Sequence, residues 1–123
     1  MLDYSPQVRE RFERPANAGR LHGHVVSGGA GNEATGARVE FDFRLRGDLV
    51  EQAVFRAYGC PYTIAAASWV AEEAEGRSLA DTSWLDPLSL AVLLEVPDHK
   101  LGVLLVVQDA LEDAARRTGQ KEE

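Results

Sequence analysis

Residues 38–46 alternate without a break: Val39, Phe41, Phe43 and Leu45 fall on one side, and Arg38, Glu40, Asp42, Arg44 and Arg46 on the other. Successive strand side chains point to opposite faces, so the pattern predicts a half-buried strand with a charged outer face. Gly47-Asp48 marks a tight turn, and residues 49–58 supply the partner strand of a hairpin, although the adjacent pair Val54 and Phe55 blurs its register. From Cys60 onward the period changes. Ile64, Ala65, Ala67, Trp69, Val70 and Ala74 follow helical spacing up to a stop at Gly76, with Pro61 in the first turn.

The flanking segments complete the outline. Ser5-Pro6 opens a short amphipathic helix that carries Val8 and Phe12 and ends near Pro15. Leu21, Val25 and Val26 suggest a first strand, and the glycine-rich residues 27–36 read as a loop. Ser78 with Asp81 resembles a capping box opening a short helix, and Asp86-Pro87 starts another that runs toward Glu95 and is ended by Pro97. The last helix, residues 98–117, is apolar almost all round from Leu101 to Val107, which predicts burial of its first half. Residues 118–123 read as a disordered tail. Strands first and helices afterward predict an α+β domain over residues 1–123, with a small antiparallel three-stranded sheet covered on one face by helices.

Composition narrows the function classes. With 123 residues, 45% of them apolar, the chain suffices for one core. A formal charge of -7 with scattered basic residues argues against binding nucleic acid, which needs a clustered cationic face. The longest apolar run, residues 101–107, is far short of the roughly 20 residues of a membrane span. The first ten residues include acids and a proline, so we expect no export signal and a cytoplasmic location. One cysteine excludes an internal disulfide.

Several segments resemble, in order, the U-type iron–sulfur scaffolds of the IscU/NifU family. They are Tyr4-Ser5 before a helix, Arg14-Pro15-Ala16-Asn17-Ala18-Gly19, the glycine loop, Ala53-Val54-Phe55-Arg56-Ala57-Tyr58-Gly59-Cys60 and Glu75-Gly76-Arg77-Ser78-Leu79. The most specific piece is residues 55–60 followed by Ile64-Ala65-Ala66-Ala67-Ser68. The resemblance spans nearly the whole chain and implies the SufE/NifU-like fold and a non-enzymatic role in iron–sulfur cluster assembly. Family members assemble a [2Fe-2S] cluster, or bind zinc, through three cysteines and an aspartate at one end, with a histidine beside the last cysteine.

Carried over one by one, those slots are mostly empty of donors. The first cysteine has become Thr35 and the aspartate Ala37; the second cysteine is retained as Cys60; the His-Cys pair falls on Gly102-Val103. Residues 96–100 take the place of a Leu-Pro-Pro-Val-Lys segment gripped by specialised chaperones, matching at Pro97 and Lys100. The chain is thus identified as a degenerate member, with an accessory or regulatory role beside a cysteine desulfurase or a sister scaffold.

Such a cluster or a structural zinc takes four protein donors, which Cys60 alone cannot supply, so no cofactor is expected within one chain. Weak substitutes are His22, His24 and His99, the first two on one face of the expected strand. Two other readings stay open: a true scaffold sharing a cluster or zinc between subunits through Cys60 and histidines, and a cysteine-dependent enzyme. Cys60 itself reads either as a thiolate at a helix N-terminus or, favoured, as an inert thiol whose dry pocket raises its pKa. The apolar region around Val103 suggests a closed core or a contact, including a homo-oligomer.

Overall fold

The computed structural model describes residues 4–121. Three antiparallel strands, β1 (Val26–Asn32), β2 (Ala37–Arg46) and β3 (Leu49–Tyr58), lie in the order β1-β2-β3. Helices α1 (Pro6–Glu13), α2 (Pro61–Ala74), α3 (Pro87–Leu94) and α4 (Leu101–Lys121) complete the α+β domain. Val39, Phe41 and Phe43 of β2 and Ala53 and Phe55 of β3 are buried, and α2 and α4 pack on the sheet. No helix among the described residues is long and apolar enough to cross a membrane.

The blurred register of the second hairpin strand has a local cause. Arg44 pairs with Gln52 but Leu45 with Val50, so Glu51 is an extra residue bulged out of the ladder. A bulge shifts the side-chain phase by one. That shift lets Val50 and Ala53, three apart, both face inward, and it turns Val54 outward opposite Asp42.

The glycine-rich stretch is not the loop expected from its composition. Its first part, residues 27–32, continues β1 from Val26, only residues 33–36 form the turn to β2, and the expected strand residues Leu21 and Val25 are irregular. The glycines are there for α4: a Cβ on Gly28 would lie 2.3 Å from the Ala114 backbone nitrogen. Glycine in a strand interior marks close backbone approach, and here helix packing replaces the missing side chains. Asp113 of α4 also accepts a hydrogen bond from the Gly29 amide at 3.0 Å, satisfying a donor on the free edge of β1. The opposite edge, on β3, is covered by residues 17–19, through Phe55 N–H to Asn17 O and Gly19 N–H to Phe55 O, both 2.9 Å. Arg77 and Gly76 close the Val50 end of that edge. Unpaired sheet edges invite intermolecular pairing, and both edges are thus partly blunted.

The helix starts follow their caps. Ser5 accepts the Val8 amide at 3.2 Å and donates to Leu94 O at 3.1 Å, tying the start of α1 to the end of α3. Asp86 caps α3 through the Leu88 amide with Pro87 at the first position. The short helix expected at Ser78 does not form; Asp81 instead accepts from the Ser83 amide and hydroxyl at 3.0 and 2.7 Å, closing a turn. At the other end α4 continues to Lys121, so the tail expected from Thr118 is helical as far as described, and residues 122–123 lie outside the described ones.

Candidate functional site

The site lies where the start of β2, the end of β3, the start of α2 and the approach to α4 meet. Arg38 pairs with Tyr58, which brings the loop before β2 up to Gly59. Gly59 has φ +148, and a Cβ there would lie 2.8 Å from Thr63 Oγ1 and 3.2 Å from Gly36 O. Only a residue without a side chain lets β3 end this close to the loop that precedes β2. Cys60 then caps α2, with Pro61 in its first turn.

Cys60 is half-buried, not sealed in a dry pocket. Burial pushes its thiol pKa up, but the Thr63 amide and hydroxyl, the Tyr62 amide and the charge of Lys100 outweigh that and leave it below its ordinary value. The expectation of a raised pKa is therefore overturned: the first amides of α2 aim at the sulfur, and Thr63 Oγ1 sits 3.6 Å from Sγ. Beside it Tyr62 meets Tyr4 edge to face, ring centres 5.0 Å apart.

The other slots carry no comparable chemistry. Thr35 closes a single 3-10 turn, Glu33–Thr35, in a reciprocal box with Asn32. Its Oγ1 accepts the Asn32 amide at 3.2 Å and donates toward Asn32 O at 2.8 Å, so the hydroxyl is committed to its own loop. Ala37 is buried, Gly102 is exposed and Val103 is half-buried against the core. Val106, one turn on, approaches Gly31 at the end of β1. The burial expected of the whole first half of α4 holds for Leu104 and Val107 only; Leu105 is 52% exposed.

The histidines do not rescue the donor set. His22 is exposed, and its carbonyl accepts from Arg44. Six strand residues separate Arg44 from Arg38, about 20 Å at 3.3 Å per residue, so His22 lies at the far end of the sheet from Cys60. His24 precedes β1 at that same end and, like His22, is not in a strand. His99 is exposed in the 3-10 turn Asp98–Lys100, which Pro97 caps. Among the described residues no three histidine, cysteine or carboxylate side chains converge. Among the described residues Cys60 is the one thiol, where a cluster or a structural zinc takes four protein donors.

A polar network on the outer sheet face escaped the reading of the sequence. Arg56 bonds Asp42 at 2.9 Å and Glu40 at 3.0 Å, and Asp42 also takes the Leu21 amide and the Ser27 hydroxyl. Arg56 further donates to Gly19 O at 3.1 Å. Residues 19–22 are thereby strapped across this face. The alternating charges of β2 were visible in the sequence, but their partner across the ladder was hidden by the bulge.

The fold defines a small α+β domain with a half-buried cysteine at one strand-to-helix turn. The chain belongs to the NifU-like N-terminal domain family, whose profile matches residues 3–123. It is 30% identical over 117 residues to the iron–sulfur cluster assembly scaffold protein IscU of Escherichia coli, covering 92% of this chain and 91% of that one. It is 51% identical over 77 residues to the bifunctional protein NifU/MnmA of Rubrobacter xylanophilus, covering 62% of this chain but 16% of that longer one. Among solved structures, the N-terminal part of a nitrogen-fixing NifU-like protein from Brucella abortus superposes with a TM-score of 0.72 at 17% identity, covering 95% and 94% of the two chains. Family-level function follows: this is an IscU/NifU-like protein of iron–sulfur cluster assembly.

Proposed function

We propose that this chain is an accessory homologue of the scaffold, one that takes part in cluster assembly through its protein contacts and holds neither a [2Fe-2S] cluster nor zinc within a single subunit. The observation that carries the reading is the donor set: Cys60 is the one thiol, and the other slots present a committed hydroxyl, two methyl-bearing aliphatic side chains and a glycine. Partners are a cysteine desulfurase or a sister scaffold, with Pro97 and Lys100 as candidate contacts. The Rubrobacter relative, whose name joins a NifU part to an MnmA part in one chain, supports a second partner of the MnmA type. The role is non-enzymatic, since the groups acting on the Cys60 thiol are Thr63, Tyr62 and Lys100 and include no histidine base. A free, half-buried cysteine suits a reducing compartment, in keeping with the cytoplasm.

Anaerobic reconstitution with iron and sulfide is the test. The accessory role predicts no visible charge-transfer absorption and sub-stoichiometric iron. A stoichiometric centre in the monomer overturns it. A centre that appears only in a dimer, and is lost in Cys60→Ala, establishes instead a cluster shared between subunits.

A further inference from the structure

Leu88 and Val92 stand one turn apart on α3 and are 66% and 79% exposed. The inward residues of that helix, Leu90, Ala91 and Leu94, are buried, so the outward pair is not the leading edge of the core. α3 carries no charged residue from Pro87 to Leu94. α4, the helix it packs against, adds the exposed Leu105. Single exposed apolar residues are ordinary; an i, i+4 pair on an uncharged helix is a ready ridge for a partner's groove.

The charge around this ridge selects the occupant. Asp86 caps α3 at one end and Glu95 at the other. Both ends of α3 thus carry a carboxylate, and the helix between them offers no cation to offset the two. A second copy would bring the same two carboxylates, in a chain whose formal charge is -7, and like charges facing across a contact are costly. Resting on the accessory role proposed above, we infer that the Leu88–Val92 face of α3 is the docking surface for a partner protein that offers an apolar groove ringed by lysine and arginine. Opposite charges speed the encounter, while the apolar ridge holds the complex.

The experiment measures binding of full-length chain to the purified cysteine desulfurase and to the purified MnmA-type protein of the same cell, by calorimetry at two salt concentrations. The probes are these two proteins. Wild type binds one of them, and Leu88→Ser with Val92→Ser weakens that binding at least tenfold with an unchanged melting temperature. Glu95→Gln weakens binding at the lower salt concentration and flattens the salt dependence. Equal binding by the double variant overturns the surface and leaves the accessory role standing. Binding of neither protein by wild type overturns both. Sedimentation separates the other occupants: a concentration-dependent dimer abolished by Val92→Glu assigns the face to a second copy. A loss of stability on deleting residues 1–3 that the double variant no longer shows assigns it to the chain's own N-terminus.

Discussion

Arg56 Nη1 lies 2.9 Å from Asp42 Oδ2 across β2 and β3, on the face of the sheet turned away from α2 and α4. Asp42 is 3% exposed. Burial pushes its carboxyl pKa up, but Arg56, the Leu21 amide and the Ser27 hydroxyl more than offset that and hold it at about 2. An unfolded aspartate titrates near 3.9.

Asp42 therefore binds its proton more readily in the unfolded chain than in the folded one. Its contribution is fully present above about pH 4 and is lost as pH falls toward 2, and it amounts to about 2 kcal/mol. Urea unfolding between pH 7 and 2 should show this acid limb. Asp42→Asn should start about 2 kcal/mol lower and lose part of that slope. Because residues 19–22 are strapped by Asp42 and Arg56, hydrogen exchange of the Leu21 amide should speed up most. Unchanged exchange there would separate the ion pair from the strap.

Gly28 sets a second prediction. A Cβ at this position meets the nitrogen, Cα and Cβ of Ala114 between 2.3 and 2.8 Å, and helix backbone cannot yield as a flexible side-chain tip can. Gly28→Ala should push α4 off β1 and cost about 3 kcal/mol, read as a fall in melting temperature of roughly 10 °C. Gly102→Ala is the contrast: nothing lies within 4 Å of a Cβ there, so alanine in the first turn of α4 should be neutral or add up to about 1 kcal/mol.

These two glycines also mark how far the sequence could be read. The hairpin, the α2 start and the Asp86 cap rest on local rules, periodicity and turn chemistry, which act within a few residues. β1 was expected too early in the chain, around Leu21, Val25 and Val26, because what stabilises its glycine part is non-local: α4 arrives from some 85 residues further along the chain, and glycine composition alone reads as loop. Ser78 was misread for the opposite reason, since a local cap signal was outcompeted by pairing of its neighbours with Val50. At the site, the strand-to-helix turn at Cys60-Pro61 was legible from the residues themselves. The lowered pKa of the Cys60 thiol was not, because burial opposes it and the outcome depends on how the folded helix start aims the Thr63 and Tyr62 groups at the sulfur, with the charge of Lys100 added by the fold.

That thiol gives a third prediction. As the chain's one cysteine, Cys60 accounts for all thiol reactivity, so alkylation by iodoacetamide can be followed against pH without ambiguity. The inflection should lie below that of an unperturbed cysteine. Thr63→Val removes the hydroxyl partner and Lys100→Gln the charge; both should move the inflection upward and slow alkylation at pH 7. High salt should reproduce the Lys100→Gln effect in wild type and leave the Thr63 contribution in place. An inflection at or above the ordinary thiol value would mean that burial wins at this position.

The slot assignments are tested most directly by putting donors back. Gly102→His meets open space, and Val103→Cys exchanges one half-buried side chain for another of smaller volume, so both should fold. Thr35→Cys breaks the box with Asn32 and releases the loop before β2, which a ligand on that loop requires. Ala37→Asp is the costly step, because Ala37 is 1% exposed and a carboxylate there is desolvated unless it gains a cation. Without metal the fourfold variant should be several kcal/mol less stable than wild type, mostly through Ala37→Asp. Zinc should restore that stability in the variant and leave wild type unchanged, since binding to the folded state alone raises stability by mass action. If the variant binds zinc no better than wild type, Thr35, Ala37, Gly102 and Val103 do not occupy the positions of the family's donors, and the accessory role loses its ground.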